Sequence, residues 1–207
     1  LRRRQRQMCI RDSFQEVENI MNLAYRTEDG EAIVVSLCLV DSGYDTDSAY
    51  DFCASNSDWA MPVKGSSNPM MSHFKLSTIN RATSKAHGMN LVIVDTDKYK
   101  DMIASRMKKE NGKGAWMVYQ GCDREYAEQV TAEHKVNIKS GSRIIQRWVQ
   151  KHSHGDNHYL DCSVYEMAAA DILGVRTLHL QEEEPAPVEE VRETPEENWI
   201  GANENWL

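Results

Sequence analysis

Apolar residues recur along the chain with two different periods, which predict strands and helices in alternation. Short apolar runs rich in β-branched residues are typical of strands, and the run at residues 33–40 suits a strand covered on both faces. The predicted strands are residues 33–40, 59–64, 90–94 and 115–119. The predicted helices are residues 14–26, 46–54, 96–109, 123–134 and 157–173. Strands that alternate with helices predict a mixed α/β sheet with helices on both faces.

Turn signals and polar stretches complete this pattern. Residues 27–30, Thr-Glu-Asp-Gly, are typical of a turn. Residues 136–151 predict a β-hairpin, because two strand-like runs flank the turn pair Ser140-Gly141. Residues 65–88 are polar and show no clear period, so we expect a long irregular loop there. Loops of that length in a compact domain are usually functional or disordered.

The two ends of the chain differ in composition from its middle. Residues 1–13 contain five arginines and no apolar periodicity, and we interpret them as a non-native or disordered segment. Residues 181–207 hold nine glutamates and one arginine, which predicts an acidic disordered tail. That tail accounts for the whole formal net charge of −8, so the acidity does not exclude a nucleic-acid ligand. The predicted folded domain is residues 14–180.

Composition excludes several classes of protein. The longest apolar run, residues 32–40, contains Ser36 and is far shorter than the ~20 residues that span a bilayer. The five cysteines are scattered without a C-x-x-C pair. Their odd number and spacing favour reduced thiols over a disulfide framework or a zinc knuckle.

Three aspartates are candidates for the chemistry. Asp41 and Asp95 each end a predicted strand, and the carboxyl ends of strands gather sites in α/β sheets. Asp161 lies at the start of the last predicted helix and can approach Asp41 if that helix packs over the sheet end. Carboxylates held close together repel each other unless a cation neutralises them. Mg²⁺ prefers oxygen ligands, and two such ions ~4 Å apart can activate a water and stabilise a leaving oxygen.

Less specific explanations of these aspartates stay open. Asp95 precedes a predicted helix, where an aspartate is often an N-cap. Asp161 could simply be a favourable negative charge near a helix N-terminus.

Basic residues predict a phosphate-binding surface. Arg143, Arg147 and Lys151 fall on one side of the predicted hairpin and could contact DNA phosphates. Lys64 follows a strand and precedes Gly65, where it could also reach a phosphate. His158 stands three residues before Asp161 and could orient a water or a phosphate. A solvated edge is the alternative for the hairpin residues.

Six short segments follow one another in an order that resembles a known family. They are VDSGYDTDSAYDFC from Val40, VKG from Val63, VDTDK from Val94, EYAEQVTAE from Glu125, RWV from Arg147 and NHYLDCSVYEMAAA from Asn157. Together they resemble the C-terminal nuclease domain of the large terminase subunit of tailed phages, in its lambda-like branch. The resemblance implies an RNase H-like fold and a metal-dependent endonuclease of the two-metal type, using Mg²⁺ or Mn²⁺, that cuts concatemeric phage DNA during genome packaging.

The same resemblance implies roles for individual residues. Asp41 matches the acidic residue of the central strand and Asp161 that of the C-terminal helix, so both are expected to bind metal. Asp95 matches a further aspartate of the pattern and is kept as a third catalytic candidate. The family's first acidic residue lies on an opening strand, in a G-V-D-type stretch that is not found before Phe14. We therefore expect an N-terminally truncated domain that lacks its first strand or strands.

Partners follow from the resemblance as well. It implies double-stranded DNA, the terminase small subunit and the portal protein as partners, and the host cytoplasm as the location. The chain contains no G-x-x-x-x-G-K-S/T motif, so the ATPase motor is expected outside it. Two other hypotheses remain: a catalytically incomplete fragment that binds DNA through the hairpin and the portal through the tail, and a small-molecule α/β enzyme.

Overall fold

The computed structural model describes residues 2–112, 114–141, 143–153 and 155–177. The helices are α1 (Arg2–Met21), α2 (Thr46–Ser55), α3 (Thr96–Met107), α4 (Arg124–Val130) and α5 (His158–Ile172), with a 3-10 turn at Val175–Thr177. The strands are β1 (Tyr25–Arg26), β2 (Ala32–Ile33), β3 (Cys38–Asp41), β4 (Ala60–Gly65), β5 (Phe74–Thr78), β6 (Asn90–Val94), β7 (Glu133–Ser140) and β8 (Arg143–Gln150). The predicted tail at 181–207 lies outside the described residues.

A four-stranded sheet in the order β3-β4-β6-β5 lies at the centre of the described part. Strands β3, β4 and β6 run parallel, and β5 is antiparallel to β6. Asp41 pairs with Val63 and Gly65 with Val94, so the carboxyl ends of the parallel strands meet at one edge. The predicted mixed α/β sheet flanked by helices is therefore confirmed, and it is compatible with an RNase H-like fold.

The main core joins this sheet to two helices. The sheet contributes valines from β4 and β6, α3 contributes Tyr99 and Ile103, and α5 contributes Leu160, Val164 and Ala168. The three α5 residues are four positions apart and therefore form one stripe along the helix. Burying a large apolar side chain stabilises the fold by about 1.5–3 kcal/mol, so this stripe fixes α5 against the sheet.

Several elements agree with their predictions within a few residues. The helix predicted at 46–54 is α2, the strands at 59–64 and 90–94 are β4 and β6, and the helix at 96–109 is α3. Strands β7 and β8 form the predicted hairpin, with Gly141 at a φ of 61° in its turn. The last predicted helix is α5, which is followed by Gly174 at a φ of 71°. Such positive φ values favour glycine.

Other predictions were wrong in part. The supposed loop at 65–88 contains β5, a short strand in which only Phe74 and Leu76 are apolar and four of five residues are exposed. The described residues 115–119 form no strand. The helix predicted at 123–134 ends at Val130, because Glu133 and His134 pair with β8 instead. The strand predicted at 33–40 is divided into β2 and β3.

The N-terminal helix is longer than the sequence predicts at one end and shorter at the other. It spans Arg2–Met21 rather than 14–26, so the described part of residues 1–13 is helical. Tyr25 and Arg26 form β1, which pairs with β2 around the predicted turn. The aromatic ring of Phe14 stacks on Phe52 at a centroid distance of 4.7 Å, which joins α1 to α2. The non-native origin of residues 1–13 stays a prediction.

Candidate active site

Asp41 and Asp161 line the same cleft, as the sequence predicts. The cleft has a volume of about 660 Å³ and lies where α5 crosses β3. His158 and Glu166 line it as well, together with apolar and thiol side chains from both elements. Two carboxylates that lie far apart in the chain therefore converge at the carboxyl end of β3.

Local backbone contacts hold Asp41 in place. Its Oδ1 accepts a hydrogen bond from the Gly43 amide at 2.8 Å. The next residue, Ser42, is buried and donates both its amide and its hydroxyl to the Val63 carbonyl oxygen, each at 2.9 Å. A Cβ atom at Gly43 would lie 3.1 Å from Asp41 Oδ1, so glycine leaves room for this close turn. Asp41 is thus fixed at the point where β3 ends.

The first turn of α5 positions Asp161. Its neighbour Leu160 is 4% exposed and belongs to the core, which sets the rotation of the helix. Asn157 donates its side-chain amide to Asp161 Oδ2 at 3.2 Å. The Lys100 ammonium lies 3.6 Å from Asp161 Oδ1. The Asp161 side chain stays 40% exposed, so it can still reach a ligand in the cleft.

The groups around Asp161 shift its pKa in opposite directions. Burial raises the pKa of Asp161, the Lys100 ammonium opposes this shift, and the carboxylates of Glu133 and Asp41 add to it. The negative charges of Glu133 and Asp41 thus disfavour the ionised form of Asp161, as like charges do when they lie near one another. A divalent ion would remove the repulsion, and the site therefore suits one.

Lys100 and Glu133 form a buried ion pair beside the cleft. The Lys100 nitrogen lies 2.8 Å from each carboxylate oxygen of Glu133, and the side chains are 10% and 5% exposed. Asn157 donates to Glu133 Oε1 at 2.8 Å as well as to Asp161. Sequence reasoning missed this pair. The available signal was a lysine directly after Tyr99 on the buried side of an amphipathic helix.

Burial also perturbs the remaining polar groups of the cleft. It raises the pKa of the Cys162 thiol, and the carboxylates of Asp161, Asp41 and Glu166 add to the shift. The pKa of Tyr165 is raised as well, first by burial and then by the charge of Asp41. Cys162 and Tyr165 are therefore neutral at physiological pH, and neither is poised as a nucleophile.

Asp95 has the geometry of a helix cap. Its Oδ1 accepts from the Lys98 amide at 3.3 Å at the start of α3, and its Oδ2 accepts from the Met70 amide at 2.9 Å. Asp95 is 5% exposed and is not among the described residues that line the cleft. The capping alternative thus describes its contacts, and a catalytic role for Asp95 stays a prediction.

The predicted phosphate-binding residues lie on β4 and on or just after β8. Arg147 forms an ion pair with Asp97 at 3.3 Å, which links β8 to the first turn of α3. Lys64 is half-buried, with its ammonium 3.4 Å from Thr46 Oγ1 and 5.9 Å from the centre of the Tyr50 ring. Lys151 is exposed just after β8. Arg143 is the first residue of β8, opposite Ser140 in the ladder.

His158 lies at the start of α5, and its Nε2 is 3.7 Å from Asp156 Oδ1. Its side chain is 77% exposed while it lines the cleft with Asp161. It is therefore free to approach a ligand from the solvent side.

The oxygen donors of the cleft fit a hard divalent cation. Mg²⁺ is usually held by one or two carboxylates and keeps several of its waters. Asp41 and Asp161 supply two carboxylates, which is the number that such a Mg²⁺ site requires. Within the described residues, no group of three or more His, Cys, Asp or Glu side chains is arranged to hold a metal.

The described fold and cleft define an α/β domain with a carboxylate pair at the edge of a mixed sheet. The sequence profile of the endonuclease domain of the terminase large subunit gpA matches residues 4–182. The match spans most of the chain, so the chain belongs to this family, whose domains act as nucleases in DNA packaging. Comparisons with curated proteins and with solved structures gave no match. None of the described helices is long and apolar enough to cross a membrane.

Proposed function

We propose that this domain is a Mg²⁺- or Mn²⁺-dependent endonuclease that cuts concatemeric phage DNA during genome packaging. The observation that carries the proposal is the shared cleft of Asp41 and Asp161 at the carboxyl end of β3. Membership of the terminase endonuclease family supports the reaction class. The cleft supports the assignment of the two carboxylates as metal ligands.

The carboxylates of the cleft and their neighbours have separate parts in this reaction. Asp41 and Asp161 hold the cation, which when bound polarises the phosphate and makes a water more acidic. The Gly43 amide fixes Asp41, and Asn157 fixes Asp161, so both carboxylates are oriented before the ligand arrives. His158 is exposed at the cleft and orients a water or a DNA phosphate there.

A basic groove beside the cleft is the proposed path of the DNA. It is formed by Lys108, Lys109, Lys135, Lys151 and Trp148, and has a volume of about 690 Å³. Lys135 is paired with Asp101 at 2.6 Å, whereas Lys108, Lys109 and Lys151 are exposed. Lysines on one surface supply sequence-independent affinity for the DNA backbone. Glu133 lines this groove and also contacts Lys100, which connects the groove to the cleft.

Further DNA contacts are proposed on the hairpin and on β4, and protein partners from the family. Arg147 is paired with Asp97, so we propose that it holds the hairpin against α3, and that Arg143 and Lys151 supply the phosphate contacts. Lys64 would meet DNA from β4, next to the strand that carries Asp41. The terminase small subunit and the portal protein are proposed as protein partners because the chain belongs to the packaging family.

A second candidate function is a catalytically incomplete fragment that binds DNA and the portal. It is favoured by one observation: among the described residues, no three His, Cys, Asp or Glu side chains are grouped so that they could hold a metal ion. In this case the basic groove would bind DNA and the cleft would not cut it.

A nicking assay on supercoiled plasmid with Mn²⁺ separates the two candidates. We expect the 207-residue chain to nick the plasmid, and both Asp41→Asn and Asp161→Asn to abolish nicking while DNA binding persists. Asp58→Asn, at an exposed position, is the matched control and should cut like the parent. Salt-sensitive DNA binding without any nicking would support the second candidate. Nicking that survives both site substitutions would overturn the assignment of the cleft.

A further inference from the structure

Lys100 places a fixed positive charge beside the proposed metal site. Its side chain is 10% exposed, and its ammonium lies 3.6 Å from Asp161 Oδ1. Both oxygens of Glu133 hold the same ammonium at 2.8 Å. A buried lysine with a carboxylate on each side is a built feature of the fold, because burying an ammonium is costly unless it is paired.

The charges around Asp161 favour one divalent cation over two. Asp41, Asp161 and Glu133 carry three negative charges and Lys100 carries one positive charge, which leaves two negative charges. Glu166 also lines the cleft and is exposed, as Asp41 is, so counting it leaves three negative charges, partly screened by solvent and salt. A second divalent ion would make the surroundings net positive and would be repelled by the ammonium.

The contacts of Lys100 also keep it from moving aside. Glu133 binds it through both oxygens, and the Asn157 amide holds Glu133 from the other side at 2.8 Å. The side of Asp161 that carries Oδ1 therefore faces an ammonium, and Oδ2 accepts from Asn157 at 3.2 Å. The space next to Oδ1 is taken by a cation that belongs to the protein.

We propose that Lys100 takes the place of a second metal ion, so that the site binds one divalent cation and not the pair expected of a two-metal nuclease. The inference rests on the proposed function, since it concerns the ligands Asp41 and Asp161. Lys100 acts as a positioning residue: it holds Asp161 and supplies the charge that a second ion would otherwise bring.

The test counts bound Mn²⁺ on the intact chain, by electron paramagnetic resonance and by calorimetry, without DNA. We expect one Mn²⁺ per chain, and none in Asp161→Asn. Two ions per chain in the parent protein would overturn the inference and leave the proposed function standing. If the parent protein binds no Mn²⁺, both the proposed function and the inference are wrong.

Substitution of the lysine gives the second measurement. Lys100→Met removes the ammonium and leaves Glu133 and Asp161 as neighbouring carboxylates, so we expect it to bind two Mn²⁺ and to gain more thermal stability from Mn²⁺ than the parent. Lys85→Met removes a lysine that pairs with Asp51 at 2.9 Å on the surface, and it should still bind one ion. A count of one in a folded Lys100→Met protein would contradict the proposal. If that variant does not fold even with Mn²⁺, the parent count alone decides.

Discussion

The ammonium of Lys100 and the carboxylate of Glu133 form a buried ion pair, with 2.8 Å between the nitrogen and each oxygen. The pair joins α3 to the first residue of β7, so it ties the hairpin to the helix that packs on the sheet. Removing one member of a buried pair leaves an uncompensated charge inside the protein.

We therefore expect Lys100→Met to lower the free energy of unfolding by about 3–5 kcal/mol. The double variant Lys100→Met with Glu133→Met should recover most of that loss, because two apolar side chains replace two charges of similar volume. Urea denaturation measures both. Lys85→Met, which breaks an exposed pair, should cost no more than about 1 kcal/mol. Equal losses at Lys100 and Lys85 would show that the buried pair has no special role in stability.

The ionised side chain of Asp161 is predicted to lower the stability of the folded domain. Its pKa in the folded chain is raised above the ordinary 3.8, so its ionised form opposes folding at neutral pH and its protonated form does not. Asp161→Asn should therefore raise the melting temperature at pH 7, modestly because the side chain is 40% exposed. The gain should shrink as the pH falls through the folded pKa, and should vanish below about 3.8. Thermal melts of both proteins from pH 3 to 8 test this, and a gain that grows toward acid pH would refute it.

Substitutions of Asp95 test whether it caps α3 or binds a metal ion. Asp95→Ala removes the acceptor for the amides of Lys98 and Met70, and should cost about 1–3 kcal/mol in the free energy of unfolding. Asp95→Asn keeps one amide acceptor and should cost less. Both variants, where folded, should nick plasmid at the parent rate, because the contacts of Asp95 are those of a cap. Loss of nicking in folded Asp95→Asn would instead place Asp95 in the catalytic machinery.

Parts of the fold with strong local signals are predictable from the sequence. Strands β4 and β6 are apolar runs, and the Leu160, Val164 and Ala168 stripe of α5 repeats every four residues. The approach of Asp161 to Asp41 follows from them, since strand ends meet at a sheet edge and α5 must cover that sheet. Strand β5 has a weaker signal, because four of its five residues are exposed and only Phe74 packs on the main core, beside the pairing with β6.

The ion pair beside the site was not predictable for a different reason. Lys100 and Glu133 lie on separate elements, and although the position of Lys100 beside Tyr99 indicates burial, nothing in the sequence indicates its partner. Their contact depends on how the hairpin packs against α3, which is also why the ion pair of Arg147 with Asp97 escaped prediction. Local patterns therefore predict where Asp41 and Asp161 meet. Tertiary packing decides which lysine and arginine side chains pair with the acidic residues.

The helix α1 makes a stabilising contact that can be tested. Phe14 stacks on Phe52 with an interplanar angle of 17°, and Phe52 in turn meets Trp59 edge-on at 5.8 Å. Phe14→Ala should lower the free energy of unfolding by about 2 kcal/mol, since it removes an aromatic pair and buried area. Phe14→Leu keeps much of the apolar contact and should lose less. A Phe14→Ala protein as stable as the parent would mean that α1 does not support the domain.

The basic groove makes a prediction about salt. Each lysine that neutralises a phosphate releases counterions, so the slope of log affinity against log salt concentration is steeper by about 0.9 for each contact. Lys108→Ala combined with Lys109→Ala should therefore weaken DNA binding and make the slope shallower by up to about 2. Lys85→Ala removes an exposed lysine that pairs with Asp51 of α2, and it should leave the slope unchanged. The nicking rate at saturating DNA should also survive the double substitution, because these lysines bind DNA and do not touch the reacting phosphate. An unchanged slope in a folded double variant would mean that Lys108 and Lys109 do not contact DNA, and Arg143 and Lys151 would be the next residues to test.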